Sequence, residues 1–547
     1  MLKKDKVIYQ IYPKSFQDSN HDGIGDIPGV MEHLDYLQDL GIDVIWFNPM
    51  TVSPQKDNGY DISDYRALDP IFGTMEQFEQ LSKACDQRNI QIMFDMVFNH
   101  CSTEHEWFKR ALAGEEKYKN YFIWRKGKGE GIPPTNWQSK FSGPAWEYVE
   151  KFDEWYLHLF DPTQADLNWD NPDVRKECFD ILNFWREKGV HCFRFDVINL
   201  ISKATVDEDD PNLFDGRQFY ADGPRVHEYI HEMNVNTFGD DEKSITVGEL
   251  NSTTLKEAVT YTIRSAKELD MTFTFAHLKV DYKNLKKWQL QPADFMEMKR
   301  IFCEIEENSQ NADGWMSLFW NCHDQPRSVS RFGDDKKYRK ESAKMLAAAI
   351  HMMRGTPYIY QGEEIGMPNA YFTDISQYRD VESTNIYDVL IKQGLDKDEV
   401  IHILQERSRD NARTPMPWDD SENGGFSDVT PWLQSADHYK EINVKNTLED
   451  PDSIYKFYQK LIQLRKKMMV IQDGLYIPLL QEHERVYAYE RKWNEESLVC
   501  INNFYGEETE ITLDLDGYEI LLSNYTDAAL KNTMKLRPYE TIVAYKK

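Results

Sequence analysis

Four acidic residues stand in or beside apolar runs of the sequence. They are Asp95 in "MFDMVFNH", Asp196 in "FRFDV", Glu249 in "VGEL" and Asp324 in "NCHDQPR". A buried charge is costly unless it is paired or used, so one such residue is most often structural. Four of them, each near the end of an apolar run, indicate a single convergent acidic site.

The run "CFRFDVINL", residues 192–200, carries two charges of opposite sign. Arg194 stands two positions before Asp196, within a segment that otherwise reads as buried. Because burial of either charge alone would be strongly unfavourable, the two residues are expected to pair or to take part in chemistry.

Clustered carboxylates serve two broad reaction classes, metal-assisted hydrolysis and glycoside hydrolysis. His100 follows Asn99, and His323 precedes Asp324, so that each histidine lies close to an acidic candidate and suits either class. The sequence contains one HExxH match, "HEYIH" at residues 227–231, and so short a match is by itself weak evidence for a metal site.

Short β-rich runs alternate with amphipathic helical stretches along most of the chain. Eight such strands with intervening helices predict a (β/α)₈ barrel in the α/β class, although a doubly wound sheet gives a similar pattern. In a barrel, the carboxyl ends of the strands carry the chemistry. The strand candidates are "KVIYQIYP", "DVIWFNP", "IQIMFDMVF", "VHCFRFDV", "SITVGEL", "LDMTFTF", "WMSLFWN" and "TPYIYQGE".

Two segments depart from this alternation. Residues 101–172 are rich in Trp, Lys, Gly and Pro and indicate a subdomain inserted after the third strand. From about residue 470 onward, alternating runs such as "RVYAYERKW" and "ESLVCINNF" predict an antiparallel β domain. The predicted domains are therefore a catalytic barrel over residues 1–100 and 173–469, an insert over 101–172 and a β domain over 470–547.

Composition excludes several classes of protein. The 547 residues carry a formal net charge of −29, which argues against nucleic acid and anionic membrane surfaces as partners. No run of about 18 apolar residues predicts a membrane span. The seven cysteines are odd in number and scattered, which is typical of reduced thiols in the cytoplasm. A cytoplasmic monomer is expected.

The segment "DSNHDGIGD", residues 18–26, is a candidate metal-binding loop, separate from the four acidic residues above. Oxygen ligands at alternating positions, with two glycines that let the loop turn, suit a structural Ca²⁺ or Mg²⁺. The alternative is an acidic turn held by hydrogen bonds from its own backbone. The predicted metal ligands are Asp18, Asn20, Asp22, the carbonyl of Ile24, and Asp26.

Taken in order, "DMVFNH", "FRFDVINLISK", "VGEL" and "NCHDQPR" resemble the motifs of the alpha-amylase superfamily of glycoside hydrolases. "NGYDISDY", "QADLN" and "DNARTPMPW" resemble its oligo-1,6-glucosidase-like branch. The resemblance implies a catalytic barrel, a small domain inserted after the third strand and a C-terminal antiparallel β-sandwich. This agrees with the organisation predicted from the alternation of strands and helices.

The resemblance also implies roles for the acidic residues. Asp196 would be the nucleophile, Glu249 the general acid and base, and Asp324 a third carboxylate that holds sugar hydroxyls. Arg194 would keep Asp196 ionised, whereas Glu249 would hold its proton near neutral pH. The two groups would lie about 5–5.5 Å apart and retain the anomeric configuration through a covalent glucosyl intermediate. No cofactor is expected for catalysis.

Binding roles follow from the same resemblance. His100 and His323 would bond hydroxyls of the first sugar, and Asp61 with Arg413 would grip the non-reducing glucose, which makes the enzyme exo-acting. Tyr60 would supply a stacking face or be a core residue.

Segments 215–234, 268–282, 355–367 and 372–383 resemble the phospho-α-(1,1)-glucosidases of this family. The implied substrate is α,α-trehalose 6-phosphate, and isomaltose-type α-glucosides are the alternative. A phosphate requires local cations in so acidic a protein, and the candidates are His277, Lys279, Lys286 and Lys287. Solvated loop lysines are the competing interpretation, and Ala276, where such enzymes commonly carry histidine, weakens the phosphate prediction.

Two further alternatives stay open. The chain could be a barrel that has lost catalysis and serves as a binding subunit, which the intact Asp196, Glu249 and Asp324 disfavour. It could also be a transglycosylating relative, since water and a second sugar compete for the same intermediate.

Overall fold

The computed structural model describes residues 3–212 and 215–547. All eight predicted barrel strands are present, and each is shorter than its apolar run. In chain order they are β1 (Ile8–Ile11), β2 (Val44–Phe47), β3 (Gln91–Val97), β4 (Cys192–Asp196), β5 (Ile245–Glu249), β6 (Met271–Phe273), β7 (Ser317–Leu318) and β8 (Thr356–Tyr360).

These strands form one sheet, in the order β6-β5-β4-β3-β2-β1-β8-β7. Strands β3 to β6 pair in parallel, as do β1 and β7 with β8. The order follows the chain cyclically and contains no central reversal, so the doubly wound alternative is wrong. The fold is a nearly closed (β/α)₈ barrel. Its strands read as continuous apolar runs because parallel strands are covered on both faces.

The helices between the strands begin where the sequence provides caps. In the helix Pro172–Glu187, which precedes β4, the Asn171 side chain accepts a hydrogen bond from Asp173 N–H and proline occupies the first position. The α-helices are Ile27–Glu32, Leu34–Leu40, Met75–Gln87, Glu106–Ala113, Glu116–Lys119, Pro172–Glu187, Arg217–Tyr220, Val226–Asn236, Leu255–Thr260, Phe295–Asn311, Ser328–Phe332, Arg339–His351, Val381–Lys392, Lys397–Arg407, Asp410–Arg413, Val444–Glu449, Ile454–Lys467 and Met469–Asp473.

The chain divides into two compact units. One comprises Met1–Ile45, Ala84–Ile90 and Phe275–Lys547, and the other comprises Trp46–Lys83 and Gln91–Thr274. The second unit carries Asp95, Arg194, Asp196 and Glu249, and the first carries Asp324. The predicted three-part division at residues 101, 173 and 470 stays a prediction.

The inserted segment contains a small antiparallel sheet. Its strands are Trp124–Arg125, Glu154–Leu157 and Trp146–Val149, with Glu154–Leu157 in the middle. Buried Trp137 and Trp146 of this segment belong to the same hydrophobic cluster as Val197 and Leu200. The insert therefore packs against the loop that follows Asp196. The unit formed by Trp46–Lys83 and Gln91–Thr274 contains four more strands outside the barrel sheet. They are Thr51–Val52, Asp64–Leu68, His100–Ser102 and Gln164–Asp166.

The C-terminal region is antiparallel, as predicted. A five-stranded sheet has the order Leu475–Leu479, Val486–Trp493, Glu496–Asn503, Thr541–Lys546, Glu519–Ser523. The strands Thr509–Thr512 and Thr533–Leu536 form a second, two-stranded sheet. Apolar residues of both sheets, such as Val499 and Ile511, share one buried cluster, because alternate residues of each strand point to the same side.

None of the helices in residues 3–212 and 215–547 combines the length and the apolar character that crossing a lipid bilayer requires.

Candidate active site

Strand β4 places Arg194 and Asp196 together. All five of its residues are buried, and residues two apart in a strand project to the same side. The parallel register with β3 sets Arg194 opposite Asp95, and the register with β5 sets it opposite Val247, two residues before Glu249. Two neighbouring strands thus bring further carboxylates to Arg194.

The Arg194 guanidinium contacts three carboxylates. Its Nη1 lies 2.6 Å from Asp95 Oδ1 and 2.7 Å from Asp196 Oδ1, and its Nη2 bonds Glu249 Oε2. Burial lowers the pKa of Arg194, but Asp95, Glu249 and Asp196 together raise it well above its ordinary value. Arg194 is therefore a permanent cation, which makes ionised carboxylates tolerable inside the barrel.

The shared guanidinium limits the separation of Asp196 and Glu249. Because the two side chains bond different nitrogens of one planar group, their contacting oxygens are at most about 8 Å apart, which is two hydrogen bonds plus the width of the group. Separations of 10 Å or more, which double displacement does not tolerate, do not occur here. The spacing of about 5–5.5 Å stays a prediction.

Asp95 supports this cluster from within β3. The Tyr60 hydroxyl donates to Asp95 Oδ2 at 2.8 Å, and the Trp46 indole donates to the same oxygen at 3.3 Å. Burial raises the pKa of Asp95, and the attraction of Arg194 opposes that rise. Tyr60 is buried and uses its hydroxyl on Asp95, so it is part of the polar support of the site.

His100 and Asp61 are both buried in the same unit. His100 Nε2 lies 3.2 Å from the carbonyl oxygen of Tyr60, and burial lowers the pKa of the imidazole. Asp61 accepts hydrogen bonds from Ser53 Oγ and from the N–H groups of Lys56 and Asp57. Burial raises the pKa of Asp61, and these bonds oppose the rise. Their sugar-binding roles stay predictions.

In the other unit, Asp324 contacts two arginines and a histidine. Asp324 Oδ1 lies 3.0 Å from Arg413 Nη2 and 3.2 Å from Arg409 Nη1, and Oδ2 lies 3.1 Å from His323 Nε2. Burial raises the pKa of Asp324, but His323, Arg409 and Arg413 bring it well below its usual range. Asp324 is thus held as an anion, as an acceptor of sugar hydroxyl bonds must be.

Sequence reasoning missed two members of this cluster, Asp380 and Arg409. Arg409 binds Asp380 at 2.5 Å and so joins Asp380 to Asp324, while Arg413 lies 3.5 Å from Asp380. The available signal is the position of Asp380 inside segment 372–383, which resembles the phospho-α-(1,1)-glucosidases.

The four predicted phosphate residues differ in environment. Lys279 and Lys286 are exposed, and Lys287 Nζ is half-buried, paired with Glu382 and 4.7 Å above the Trp288 ring. His277 is buried beside Phe302, Phe319 and Trp320, and its Nε2 bonds the carbonyl of Phe319.

Burial lowers the pKa of His277 to about 4, so the ring is neutral at pH 7. The positive charge for a phosphate would therefore come from the lysines, and the phosphate role of His277 stays a prediction.

The segment of residues 18–26 forms a tight turn. Asp18 accepts hydrogen bonds from the backbone N–H groups of Asn20, His21 and Gly23, at 2.8 to 3.1 Å, and from Ser427 Oγ. Asp26 accepts from Gly29 N–H and Ser19. Asn20 and Asp22 likewise accept bonds from backbone N–H groups of the loop, including that of Ile24.

Within residues 3–212 and 215–547, no three His, Cys, Asp or Glu side chains are grouped so as to hold a metal ion. The hydrogen bonds of the turn correspond to the alternative without metal. All the predicted ligands are oxygen atoms, the type that a hard cation prefers, so a bound Ca²⁺ or Mg²⁺ stays a prediction.

Chelation tests this prediction. If the loop binds a cation, EDTA is expected to lower the melting temperature by a few degrees, because the bound ion stabilises only the folded state. Specific activity at 25 °C is expected to change less, and added Ca²⁺ should restore the transition. Identical melting curves with and without EDTA would contradict the metal site.

Two known protein families match most of the chain. Residues 10–474 match the alpha amylase catalytic domain, and residues 486–543 match the C-terminal domain of the alpha-amylase SusG. The chain belongs to the alpha-amylase family, whose members are glycoside hydrolases.

Individual relatives are similar over almost the whole chain. The trehalose-6-phosphate hydrolase of Bacillus subtilis (strain 168) is 51% identical, over 99% of this chain and 97% of its own. The oligo-1,6-glucosidase of Bacillus cereus is 46% identical over 99% and 98%. A solved structure of a trehalose-6-phosphate hydrolase from Bacillus licheniformis is 51% identical, with a TM-score of 0.97 over 100% of this chain and 99% of the other.

Proposed function

We propose that this protein is a retaining, exo-acting α-glucosidase that hydrolyses α,α-trehalose 6-phosphate to glucose and glucose 6-phosphate. The observation that carries the glycosidase assignment is the single guanidinium of Arg194 bonded to both Asp196 and Glu249. The substrate is supported by the relatives named trehalose-6-phosphate hydrolase at 51% and 48% identity.

The first half-reaction uses the two carboxyl groups in opposite protonation states. Asp196, bonded to Arg194, attacks the anomeric carbon of the glucose that carries no phosphate. Glu249 gives its proton to the glycosidic oxygen, and glucose 6-phosphate leaves with that hydrogen. The product on the enzyme is a β-glucosyl ester of Asp196.

Water completes the second half-reaction. Glu249, now a carboxylate, takes a proton from the water as the water attacks the anomeric carbon. The ester bond to Asp196 breaks, and the two inversions give α-glucose with net retention. Asp324, held as an anion by His323, Arg409 and Arg413, would accept hydrogen bonds from glucose hydroxyls that strengthen in the transition state.

Substrate comparison tests the proposal. Purified protein is assayed on α,α-trehalose 6-phosphate, trehalose and isomaltose, and kcat/KM is expected to be highest on the phosphorylated disaccharide. A higher kcat/KM on isomaltose would overturn this substrate and favour the oligo-1,6-glucosidase alternative, to which the 46% identical relative from Bacillus cereus points.

The phosphate is proposed to contact Lys287, with Lys279 and Lys286 on the same segment. Replacement of Lys287 by alanine is expected to raise KM for trehalose 6-phosphate about 10- to 100-fold, since hydrogen bonds to charged groups contribute about 1.5–3 kcal/mol. KM for 4-nitrophenyl α-glucoside should change less than about twofold, because that substrate carries no phosphate.

Lys283→Ala is the matched control, because Lys283 is an exposed lysine of the same segment. It should leave both KM values near those of the unmodified enzyme. Equal losses on the phosphorylated and the neutral substrate in Lys287→Ala would remove Lys287 from phosphate recognition.

We place the enzyme in the cytoplasm as a monomer. All seven cysteines are free thiols and six of them are buried, which is consistent with a reducing compartment.

A further inference from the structure

The chain turns sharply directly after Asp196. Val197 lies in the left-handed region, with φ 36° and ψ 42°, a conformation that a β-branched residue rarely adopts. The next residues form a single 3₁₀ turn, Ile198–Leu200, closed by Leu200 N–H donating to the Val197 carbonyl at 2.9 Å. Strain of this kind persists only where its surroundings hold it, here a packed core around Val197 and Leu200.

The turn brings Asn199 to the segment that follows Glu249. Asn199 is fully buried, its Oδ1 accepts from Asn251 N–H at 2.9 Å, and its Nδ2 donates to the Asn251 carbonyl at 2.8 Å. One side-chain amide therefore bonds both backbone groups of Asn251. Asn199 is three residues after Asp196, and Asn251 is two residues after Glu249.

Asp222 fixes the orientation of this amide. Asn199 Nδ2 also donates to Asp222 Oδ1 at 3.0 Å, and the same oxygen accepts from the Tyr261 hydroxyl at 2.6 Å. The Asp222 N–H in turn donates to the Asn199 carbonyl at 3.0 Å. A carboxylate only accepts, so Nδ2 must face Asp222, and the amide oxygen is left to accept from Asn251.

Strand β6 holds the other side of the same segment. Glu249 is in register with Phe273, and Leu250 N–H donates to the Phe273 carbonyl at 3.1 Å. The backbone after Glu249 is thus bonded to β6 at residue 250 and to Asn199 at residue 251. Of these two attachments, only the one through Asn199 leads back to the nucleophile.

We propose that Asn199 is a positioning residue that holds the general acid Glu249 at a fixed separation from Asp196 by clamping the backbone of Asn251. The proposal rests on the roles assigned above to Asp196 and Glu249. Asn199 touches neither substrate nor a reacting atom, and it acts through the loop that carries the acid. Loss of the clamp should impair proton donation to the leaving group more than it impairs nucleophilic attack.

The test is Asn199→Asp measured on a series of aryl α-glucosides. The substitution keeps the shape but turns the Nδ2 donor into an acceptor facing Asp222 and the Asn251 carbonyl. Because a positioned general acid contributes about 10²- to 10⁴-fold only where the leaving group needs a proton, kcat/KM should fall about 100-fold on phenyl α-glucoside and about threefold on 2,4-dinitrophenyl α-glucoside.

Asn524→Asp is the matched control. Asn524 is a buried amide that also bonds only backbone groups, with Oδ1 accepting from Thr541 N–H at 2.9 Å and Nδ2 donating to the carbonyls of Glu341 and Tyr539. The Asn524→Asp variant should have a lower melting temperature. Any change in its kcat/KM should be the same for all leaving groups. Equal losses on all aryl glucosides in Asn199→Asp would show a merely structural role and overturn the proposal.

Tyr261→Phe provides a second route should Asn199→Asp fail to fold. It removes the hydroxyl that bonds Asp222. The loss of kcat/KM should depend on the leaving group in the same way and should be about a tenth as large as in Asn199→Asp. No such dependence in Tyr261→Phe would then overturn the proposal. If the proposed function itself is wrong, the result is different. The unmodified enzyme would then cleave none of the aryl glucosides, or Asp196→Asn would still cleave them.

Discussion

Replacement of Asp196 by asparagine is expected to abolish turnover, with kcat falling at least about 10⁴-fold, because the covalent route through the β-glucosyl ester is then closed. The amide keeps the shape of the side chain and can still accept from Arg194, so the fold should survive. The measurement is kcat on trehalose 6-phosphate, with circular dichroism and thermal melting as checks on folding.

Asp241→Asn is the matched control for Asp196. Asp241 lies in the same unit and pairs with His191 at 2.7 Å and Arg186 at 3.5 Å. This variant should lose stability and keep its turnover. Near-normal rates in Asp196→Asn would show that another group is the nucleophile.

Glu249→Ala is expected to lose about 10²- to 10⁴-fold in kcat on trehalose 6-phosphate, since the poor leaving group then departs without a proton. On 2,4-dinitrophenyl α-glucoside the first step needs little acid assistance, and the glucosyl ester should accumulate. Azide, which requires no general base, should then release it as α-glucosyl azide, and product analysis by NMR measures this.

The anomeric form of the azide separates the two roles. In Asp196→Ala, azide can replace the missing nucleophile and should give β-glucosyl azide by a single inversion. Glu232→Ala, which breaks a surface pair with Arg175, is the control and should form no azide adduct by rescue. β-Glucosyl azide from Glu249→Ala would contradict the assignment of Glu249 as acid and base.

The barrel could be predicted because its determinants are local. Each strand is an apolar run a few residues long between turn signals, and each helix carries its own period and cap, as Asn171 does for the helix Pro172–Glu187. The acidic candidates could also be predicted, because Asp95, Asp196 and Glu249 interrupt runs that are otherwise buried.

The partners of these residues could not be predicted in the same way. Arg194 was expected to serve Asp196, two residues away, but it also bonds Asp95 and Glu249, which are 99 and 55 residues distant in the chain. His277 was predicted to be a cation that binds phosphate. Its burial among aromatic rings lowers the pKa of the imidazole to about 4, so the ring is neutral at pH 7. Neither fact has a local signal, since both depend on strand register and on what packs over a loop.

The sequence by itself determined the order of strands and helices, the acidic candidates and the family resemblance, because local periodicity and short motifs carry that information. Only the tertiary structure decided that one guanidinium serves three carboxylates, that Asp380 and Arg409 surround Asp324, and that Asn199 bonds Asn251. The physical reason is that hydrogen bonds and ion pairs act over about 3 Å in space, whatever the separation along the chain.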